Sequence, residues 1–223
     1  MTGVTIGRTS RAMLLALVWT ALARGADPPG TPLSRDAVAF CAAAEHAPAA
    51  EQAALLARAL ATADRAVAAH DDDALAHFAV FCSLGGRMQR AGLGVGALLD
   101  LRRLRREVDR TVELAPDFAD ALAGKGALLL DTPRLLGGDP AEGERLLRRA
   151  LAVDPDYLGP RLDLVRALHA RGATAAAAAA AGRALEIARR KGDPADVARI
   201  EALQRSLGGP GPGGGPGTGS ARP

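Results

Sequence analysis

Three segments of the chain repeat one order of apolar and polar positions. They span residues 64–78, 109–123 and 148–162. Each begins as the end of a helix, passes through a short acidic or proline-containing turn, and continues as a new helix. A matching fourth helix is predicted over residues 175–190. The pattern therefore predicts a series of helices in which one helix–turn–helix unit recurs.

Composition and capping residues favour helices over strands. Ala, Leu and Arg dominate, whereas aromatic residues form only 3% of the 223 residues, and strands favour β-branched and aromatic residues. Asp139 and Asp193 each precede a proline, as N-cap residues do, and Asp139 with Glu142 resembles a capping box. Gly172 and Gly208 are typical of helix ends. We predict an all-α protein.

The repeated units resemble tetratricopeptide repeats (TPRs), which are antiparallel helix pairs with a period of about 34 residues. In the second helix of each pair, this family places small and larger residues at a spacing that lets neighbouring helices approach closely. The matching triplets are Ala59/Ala63/Ala66, Leu104/Val108/Thr111, Gly143/Leu147/Ala150 and Ala177/Ala181/Ala184. The resemblance implies a TPR-like α-solenoid of about four pairs at residues 27–207, closed by a C-terminal capping helix over 193–207.

The stretch 132–149, which reads TPRLLGGDPAEGERLLRR, narrows the resemblance. It is similar to a segment of TPR proteins associated with TRAP transporters, and of less characterised exported TPR proteins. The resemblance implies a periplasmic, non-enzymatic binding or scaffold protein that contacts a periplasmic solute-binding protein and often forms a homo-oligomer. The alternative is a general exported TPR adaptor for protein–protein interactions in the cell envelope.

The first 26 residues predict export. Arg8 and Arg11 precede an apolar stretch over 12–23, and small residues suited to cleavage end at Ala23 or Ala26. The apolar stretch is shorter than the roughly 20 residues that span a bilayer. The alternative is an N-terminal helix that is buried or rests on a membrane. We expect a signal peptide at 1–26, a periplasmic or secreted protein, and no stable membrane span after cleavage.

The net charge of +3 depends on this leader. Without Arg8, Arg11 and Arg24, the chain has 25 basic and 25 acidic residues. A near-neutral chain removes the general argument for a nucleic-acid partner, and we expect none. Residues 208–223 are rich in glycine and proline and are predicted to be a disordered tail.

The two cysteines of the chain can form a disulfide if the protein is exported. An oxidising compartment permits one intramolecular disulfide, between Cys41 and Cys82. The alternative is that both are small buried side chains on helix faces.

One cluster has the residue types of a metal site: His70, Asp71, Asp72, Asp73 and His77. Because the cluster falls at a repeat turn, the simpler interpretation is that its acids cap the next helix. We expect no metal, no cofactor and no catalytic residue.

Glycines over residues 85–96 are interpreted as a mobile insertion between the two helices of a repeat, either functional or neutral. Gly92, Gly94 and Gly96 do not form a phosphate-binding loop, because no strand precedes them and no Lys-Ser/Thr follows.

The densest basic run comprises Arg102, Arg103, Arg105, Arg106 and Arg110. Three of these share one helix face and apolar residues share another, as in a solvent-facing amphipathic helix. The alternative is a site for a carboxylate or an acidic partner, because arginine binds carboxylates with two hydrogen bonds.

The inner face of such an array, lined by the first helix of each pair, is where ligands usually bind. Its predicted positions are mostly apolar: Leu75, Phe78, Cys82, Asp120, Ala123, Ala127, Gly159, Leu162 and Arg166. Such a groove is filled by the chain's own helix or is lined for an apolar part of a ligand. We select Lys125, Arg166 and His169 as polar candidate ligand-binding residues, and Phe78 as an aromatic one.

Overall fold

The computed structural model describes residues 27–91 and 95–207. This part of the chain forms nine α-helices and one short 3-10 helix, with no strand. The helices are α1 (Pro32–His46), α2 (Ala49–Ala69), α3 (Ala74–Ala91), α4 (Val95–Leu114), α5 (Ala119–Asp131), α6 (Pro140–Val153), α7 (Leu158–Ala170), α8 (Thr174–Lys191) and α9 (Pro194–Leu207), with the 3-10 helix at Arg134–Leu136. The predicted signal peptide, Gly92, Gly94 and the predicted tail lie outside the described residues.

Consecutive helices pack as the pairs α1/α2, α3/α4, α5/α6 and α7/α8. Helix α9 packs on α8, where Ile200 lies in one apolar cluster with Ala184 and Ile187. Its outward residues Arg199 and Arg205 are exposed, so α9 covers the last pair and presents a polar surface. This arrangement is the predicted all-α solenoid with a C-terminal capping helix.

The predicted triplets form the packed side of the second helices. All twelve residues are buried. Alanines predominate in α2 and α8, and Ala59, Ala63, Ala177 and Ala181 are fully inaccessible to solvent. Small side chains at these positions let helix axes approach closely, and the lost contact area is recovered by tighter packing.

The predicted N-caps are confirmed. Asp139 Oδ1 accepts hydrogen bonds from the backbone N–H groups of Ala141 and Glu142, both at 3.1 Å. Asp193 caps α9 in the same manner. The capping box is wrong in its second half, because the Glu142 carboxylate accepts from the Arg145 guanidinium. An ion pair one turn along the helix replaces the return bond to the cap.

The predicted glycine-rich loop is largely wrong. Helix α3 continues through Gly85 and Gly86 to Ala91, and α4 already begins at Val95. A Cβ on Gly86 would lie 2.8 Å from Leu56 Cδ2 of α2. The glycine therefore marks a close approach of two helices instead of a chain reversal.

Arginines of the second helices hold the connections between pairs. Arg110 on α4 donates to the carbonyl oxygen of Asp71, and Arg149 on α6 donates to that of Pro116 at 2.9 Å. Arg190 on α8 binds both carboxylate oxygens of Asp156 at 2.8 Å. In each case the connection that precedes a pair is bonded to the second helix of that same pair.

Candidate functional site

The first helices α1, α3, α5 and α7 line the inner face of the array. Helix α1 contacts α3, and α5 contacts α7. Between α3 and α5 the spacing is close, since a Cβ on Gly124 would lie 2.5 Å from the Phe81 ring. The segment before α1 joins the same row, because the Thr31 N–H donates to Asp73 Oδ2 at 2.9 Å.

Phe78 belongs to an aromatic cluster with Phe81 and Phe118. Its ring lies 4.8 Å from that of Phe118 in an edge-to-face arrangement, and 6.0 Å from that of Phe81. Phe118 is buried, whereas Phe78 retains part of its surface. The cluster joins α3 to the start of α5, so packing accounts for most of the contacts of Phe78.

The two cationic candidates, Lys125 and Arg166, each have a carboxylate of their own. Lys125 Nζ lies 2.7 Å from Asp109 Oδ1 on α4. Arg166 is paired with Asp163 one turn earlier, and this hydrogen bond raises the pKa of Arg166. Their charges are therefore neutralised by α4 and α7 before any ligand arrives.

His169 lies on the last turn of α7, and its Nδ1 atom is buried with no hydrogen-bond partner among the described residues. No hydrogen bond or ion pair described here joins it to Lys125 or Phe78. Lys125 and Arg166 thus each have a partner in the fold, and His169 shares a helix face with Arg166, three positions earlier.

A polar pair that sequence reasoning missed lies at the start of α5 and α7. The side chains of Asp120 and Tyr157 lie near each other, and each influences the pKa of the other. Burial raises the pKa of Asp120, and the acids Asp27 and Asp154 act in the same direction, while Tyr157 opposes them. Burial and the neighbouring Asp120 also raise the pKa of Tyr157. The inner face therefore holds a carboxyl group in an environment that disfavours its charge.

Tyr157 could have been found from the repeats. It is the only tyrosine of the chain and aligns with Phe118 and Asp73 at the equivalent turn. Phe118 is buried at 5% exposure and has no hydroxyl to contribute. The preceding repeat buries an apolar ring at this position, so the hydroxyl of Tyr157 indicates a polar contact there.

The turn cluster of histidines and acids forms caps and a buried polar chain. Asp73 Oδ1 accepts from the N–H groups of Leu75 and Ala76, so the capping interpretation is confirmed for this residue. His77 Nδ1 lies 2.7 Å from Glu107 Oε2, and its Nε2 lies 3.0 Å from the Asp71 carbonyl oxygen. Across residues 27–91 and 95–207, no group of three or more His, Cys, Asp or Glu side chains is arranged to hold a metal ion.

The polar chain continues from Glu107 into the neighbouring pair. Arg103 lies between Glu107 of its own helix and Asp64 of α2, and binds both. Four side chains from α2, α3 and α4 therefore connect the first pair to the second. Because His77 is 4% exposed, its two hydrogen bonds are shielded from water.

A disulfide links Cys41 of α1 to Cys82 of α3. The Cys41 Sγ also lies 3.7 Å from the Ser83 hydroxyl. The bond spans 41 positions and crosses from the first pair to the second. One half of the inner face is therefore held by a covalent bond as well as by packing.

A comparison with solved structures decides the fold. The chain is similar to the crystal structure of TTC0263, a thermophilic TPR protein of Thermus thermophilus, with a TM-score of 0.55 and 18% sequence identity, over 87% of this chain and 95% of that chain. The chain has a TPR-like fold. No protein family and no curated protein matches the sequence.

This TPR-like array presents two chemically different surfaces. The inner face offers apolar positions with the Asp120–Tyr157 pair as a polar anchor. The second helices carry most of the ion-paired arginines on their outer side. Within residues 27–91 and 95–207, none of the helices combines the length and the apolar character that a bilayer span needs.

Proposed function

We propose that this chain is an exported, non-enzymatic TPR-like scaffold that binds a protein partner on its inner face, in the periplasm or outside the cell. The observation that carries the proposal is the TPR-like fold, whose first helices place mostly apolar positions and the half-buried Asp120 on one face. Folding gains little from a carboxyl group placed where burial raises its pKa. A perturbed polar group in a concave surface is a usual feature of a binding site.

Two features support export. Residues 1–26 have the composition of a signal peptide. Cys41 and Cys82 are placed for a disulfide, and disulfides persist in oxidising compartments. The two features are independent of each other, since one lies in the leader and the other joins α1 to α3.

The partner we propose is the solute-binding protein of a TRAP-type uptake system. The support is the resemblance of segment 132–149 to TPR proteins associated with TRAP transporters. This segment follows α5 and forms the 3-10 helix and most of α6. Its Gly137 has φ +85°, a conformation that glycine adopts without strain. A general adaptor for envelope proteins is the alternative, and it predicts different captured partners.

Site-specific photo-crosslinking in the native host tests this function. A crosslinking amino acid at Ala127, on the inner face, is compared with the same amino acid at Ala152, which is exposed on α6. We expect the Ala127 position to capture a periplasmic solute-binding protein, and the yield to fall when Asp120→Asn and Tyr157→Phe are added. Capture of envelope-assembly factors instead would favour the adaptor, and equal capture from Ala152 would refute binding on the inner face.

Export has its own measurement in the same cells. Alkylation of unreduced protein detects free thiols, so an exported chain should leave Cys41 and Cys82 unlabelled until a reductant is added. Labelling without reductant, or recovery of the protein with cytosolic markers, would refute export.

A further inference from the structure

Helix α4 carries two classes of arginine. Arg103 and Arg110 point toward the neighbouring helices and pair with carboxylates. Arg102, Arg105 and Arg106 form no ion pair with any carboxylate in the described part of the chain. The same helix therefore balances its charge on one side and leaves three positive charges unbalanced on the other.

Exposed leucines accompany these unbalanced arginines. Leu99 is 67% exposed and lies three and seven positions before Arg102 and Arg106, so the three residues share one helix face. Leu135 and Leu136 of the 3-10 helix are 100% and 44% exposed. Among the described residues, these three are the large apolar side chains that face solvent.

The 3-10 helix lies next to α4 because of Arg105. A Cβ on Gly137, the residue that follows Leu136, would collide with the Arg105 guanidinium. The Nε and Nη2 atoms of Arg105 are buried and have no acceptor within the described residues. Because these atoms are buried, the arginines that a partner's carboxylates can reach on this side are the exposed Arg102, Arg106 and Arg134. We call the combined set the Leu–Arg surface: Leu99, Arg102, Arg105, Arg106, Arg134, Leu135 and Leu136.

Nearby acids do not neutralise this surface. Asp131 precedes the 3-10 helix but contributes to the electrostatic environment of Arg166 on α7. Asp100 lies on α4 and forms no ion pair within the described residues. Neither Asp100 nor Asp131 forms an ion pair in the described part of the chain, and four arginines against these two carboxylates leave the Leu–Arg surface positively charged.

We propose that the Leu–Arg surface binds an acidic amphipathic segment of a second protein, with leucine-sized side chains against Leu99, Leu135 and Leu136 and carboxylates on the arginines. Charge complementarity selects this occupant. Residues 1–26 and 208–223 contain no Asp or Glu, so neither end of this chain supplies the carboxylates. The surface lies on a second helix and on the connection after α5, and is therefore separate from the inner face of the proposed function.

Fluorescence anisotropy with synthetic helical peptides tests the proposal on the full chain. The probes are a set of labelled peptides with leucines on one face and glutamates beside them, and matched peptides in which glutamine replaces glutamate. We expect the glutamate peptides to bind, and the Arg102→Gln/Arg106→Gln variant to bind them roughly tenfold more weakly. Leu135→Ser/Leu136→Ser should cause a similar loss.

The matched control is Arg183→Gln/Arg189→Gln, which removes two exposed arginines from α8 and lowers the net charge equally. An equal loss in this control, equal binding of the glutamine peptides, or no binding of any glutamate peptide would overturn the proposal. Circular dichroism verifies that each variant is folded.

Two further measurements separate other occupants. Binding to phosphatidylglycerol vesicles that depends on Arg102 and Arg106, without peptide binding, would assign the surface to a membrane and refute the proposal. Self-association in sedimentation velocity that the same variant abolishes would assign it to a second copy of this chain.

Discussion

The first two helix pairs and the last two share one backbone plan but are joined to their neighbours by different chemistry. Between α1/α2 and α3/α4 lie a disulfide and the ion pair of Asp64 with Arg103, which continues through Glu107 to the buried His77. Between α5/α6 and α7/α8 most contacts are apolar, since Leu147, Leu164 and Val165 pack with Ala177. The ion pair of Arg190 with Asp156 in this half is exposed, whereas the Glu144 carboxylate that binds Arg171 from the end of α7 is largely buried.

This difference teaches that a repeat fold does not prescribe how its units are coupled. In a linear array the stability of each unit depends on its contacts with its nearest neighbours. A disulfide and an ion pair couple the early units, and a reductant can remove the disulfide. The later units depend on close packing, which volume changes disturb most.

Removal of the disulfide should give the largest effect on this comparison. We expect Cys41→Ser/Cys82→Ser to lower the free energy of unfolding by about 3 to 4 kcal/mol, because the bond closes a loop of 41 positions. Urea unfolding with and without a reductant measures it. Hydrogen exchange should accelerate in α1–α3 and change little in α7–α9, whereas a uniform change would contradict the division into halves.

A cavity made in the packed core of the later half tests that half in the same way. Leu147 is fully buried against α7 and α8, so Leu147→Ala should lower the free energy of unfolding by about 3 kcal/mol. Leu135→Ala removes the same atoms from a fully exposed position and should change it little. Denaturant titration of both variants is the measurement, and similar midpoints would show that the α6–α8 contact is not the packing core.

Loss of the buried polar chain should have a smaller effect. His77→Ala removes the partner of Glu107 and of the Asp71 carbonyl, which we expect to cost about 2 kcal/mol. His70, exposed at the end of α2, serves as the control through His70→Ala. Should both variants unfold at the same urea concentration, the two hydrogen bonds of His77 would not stabilise the second pair.

The smallest expected effect is a gain. Because the pKa of Asp120 is raised, its charged form opposes folding at neutral pH, and this cost disappears once the pH falls below the ordinary value of 3.8. Asp120→Asn should therefore raise the free energy of unfolding by about 1 kcal/mol or less at pH 7 and leave it unchanged near pH 3. Thermal unfolding across this pH range checks the sign, and a loss at pH 7 would contradict it.

Asp73 in the early half shows the opposite behaviour. Burial would raise its pKa, but hydrogen bonds from the N–H groups of Thr31 and Ala76 help to offset this, and the pKa lies below 3.8. Its contribution to stability is therefore present above 3.8 and is lost as the pH falls through the lowered value. The charged form of Asp73 therefore stabilises the fold, whereas the charged form of Asp120 destabilises it.

Sequence predicted the parts of this molecule that depend on periodicity. The small and large residues of the four triplets were placed correctly because helical spacing fixes which residues face the neighbouring helix. Asp139 and Asp193 were placed because a cap depends only on residues two or three positions away.

Residues whose roles depend on distant partners were not predicted. The partner of Lys125 was not predicted, because Asp109 lies on a different helix pair. Gly86 was assigned to a loop because the contact with Leu56 is invisible in the local sequence. Tyr157 was passed over since its neighbour Asp120 belongs to a helix that is far away along the chain.

The link between Cys41 and Cys82 gives the array a direction of disassembly. A repeat chain ordinarily frays from both ends, since each terminal unit has only one neighbour. Here the first unit cannot separate from the second while the sulfur atoms remain joined. Unfolding should therefore start at α9 and proceed toward the N-terminus. A pulling force or a protease would then disrupt the C-terminal helices before the disulfide-linked N-terminal ones.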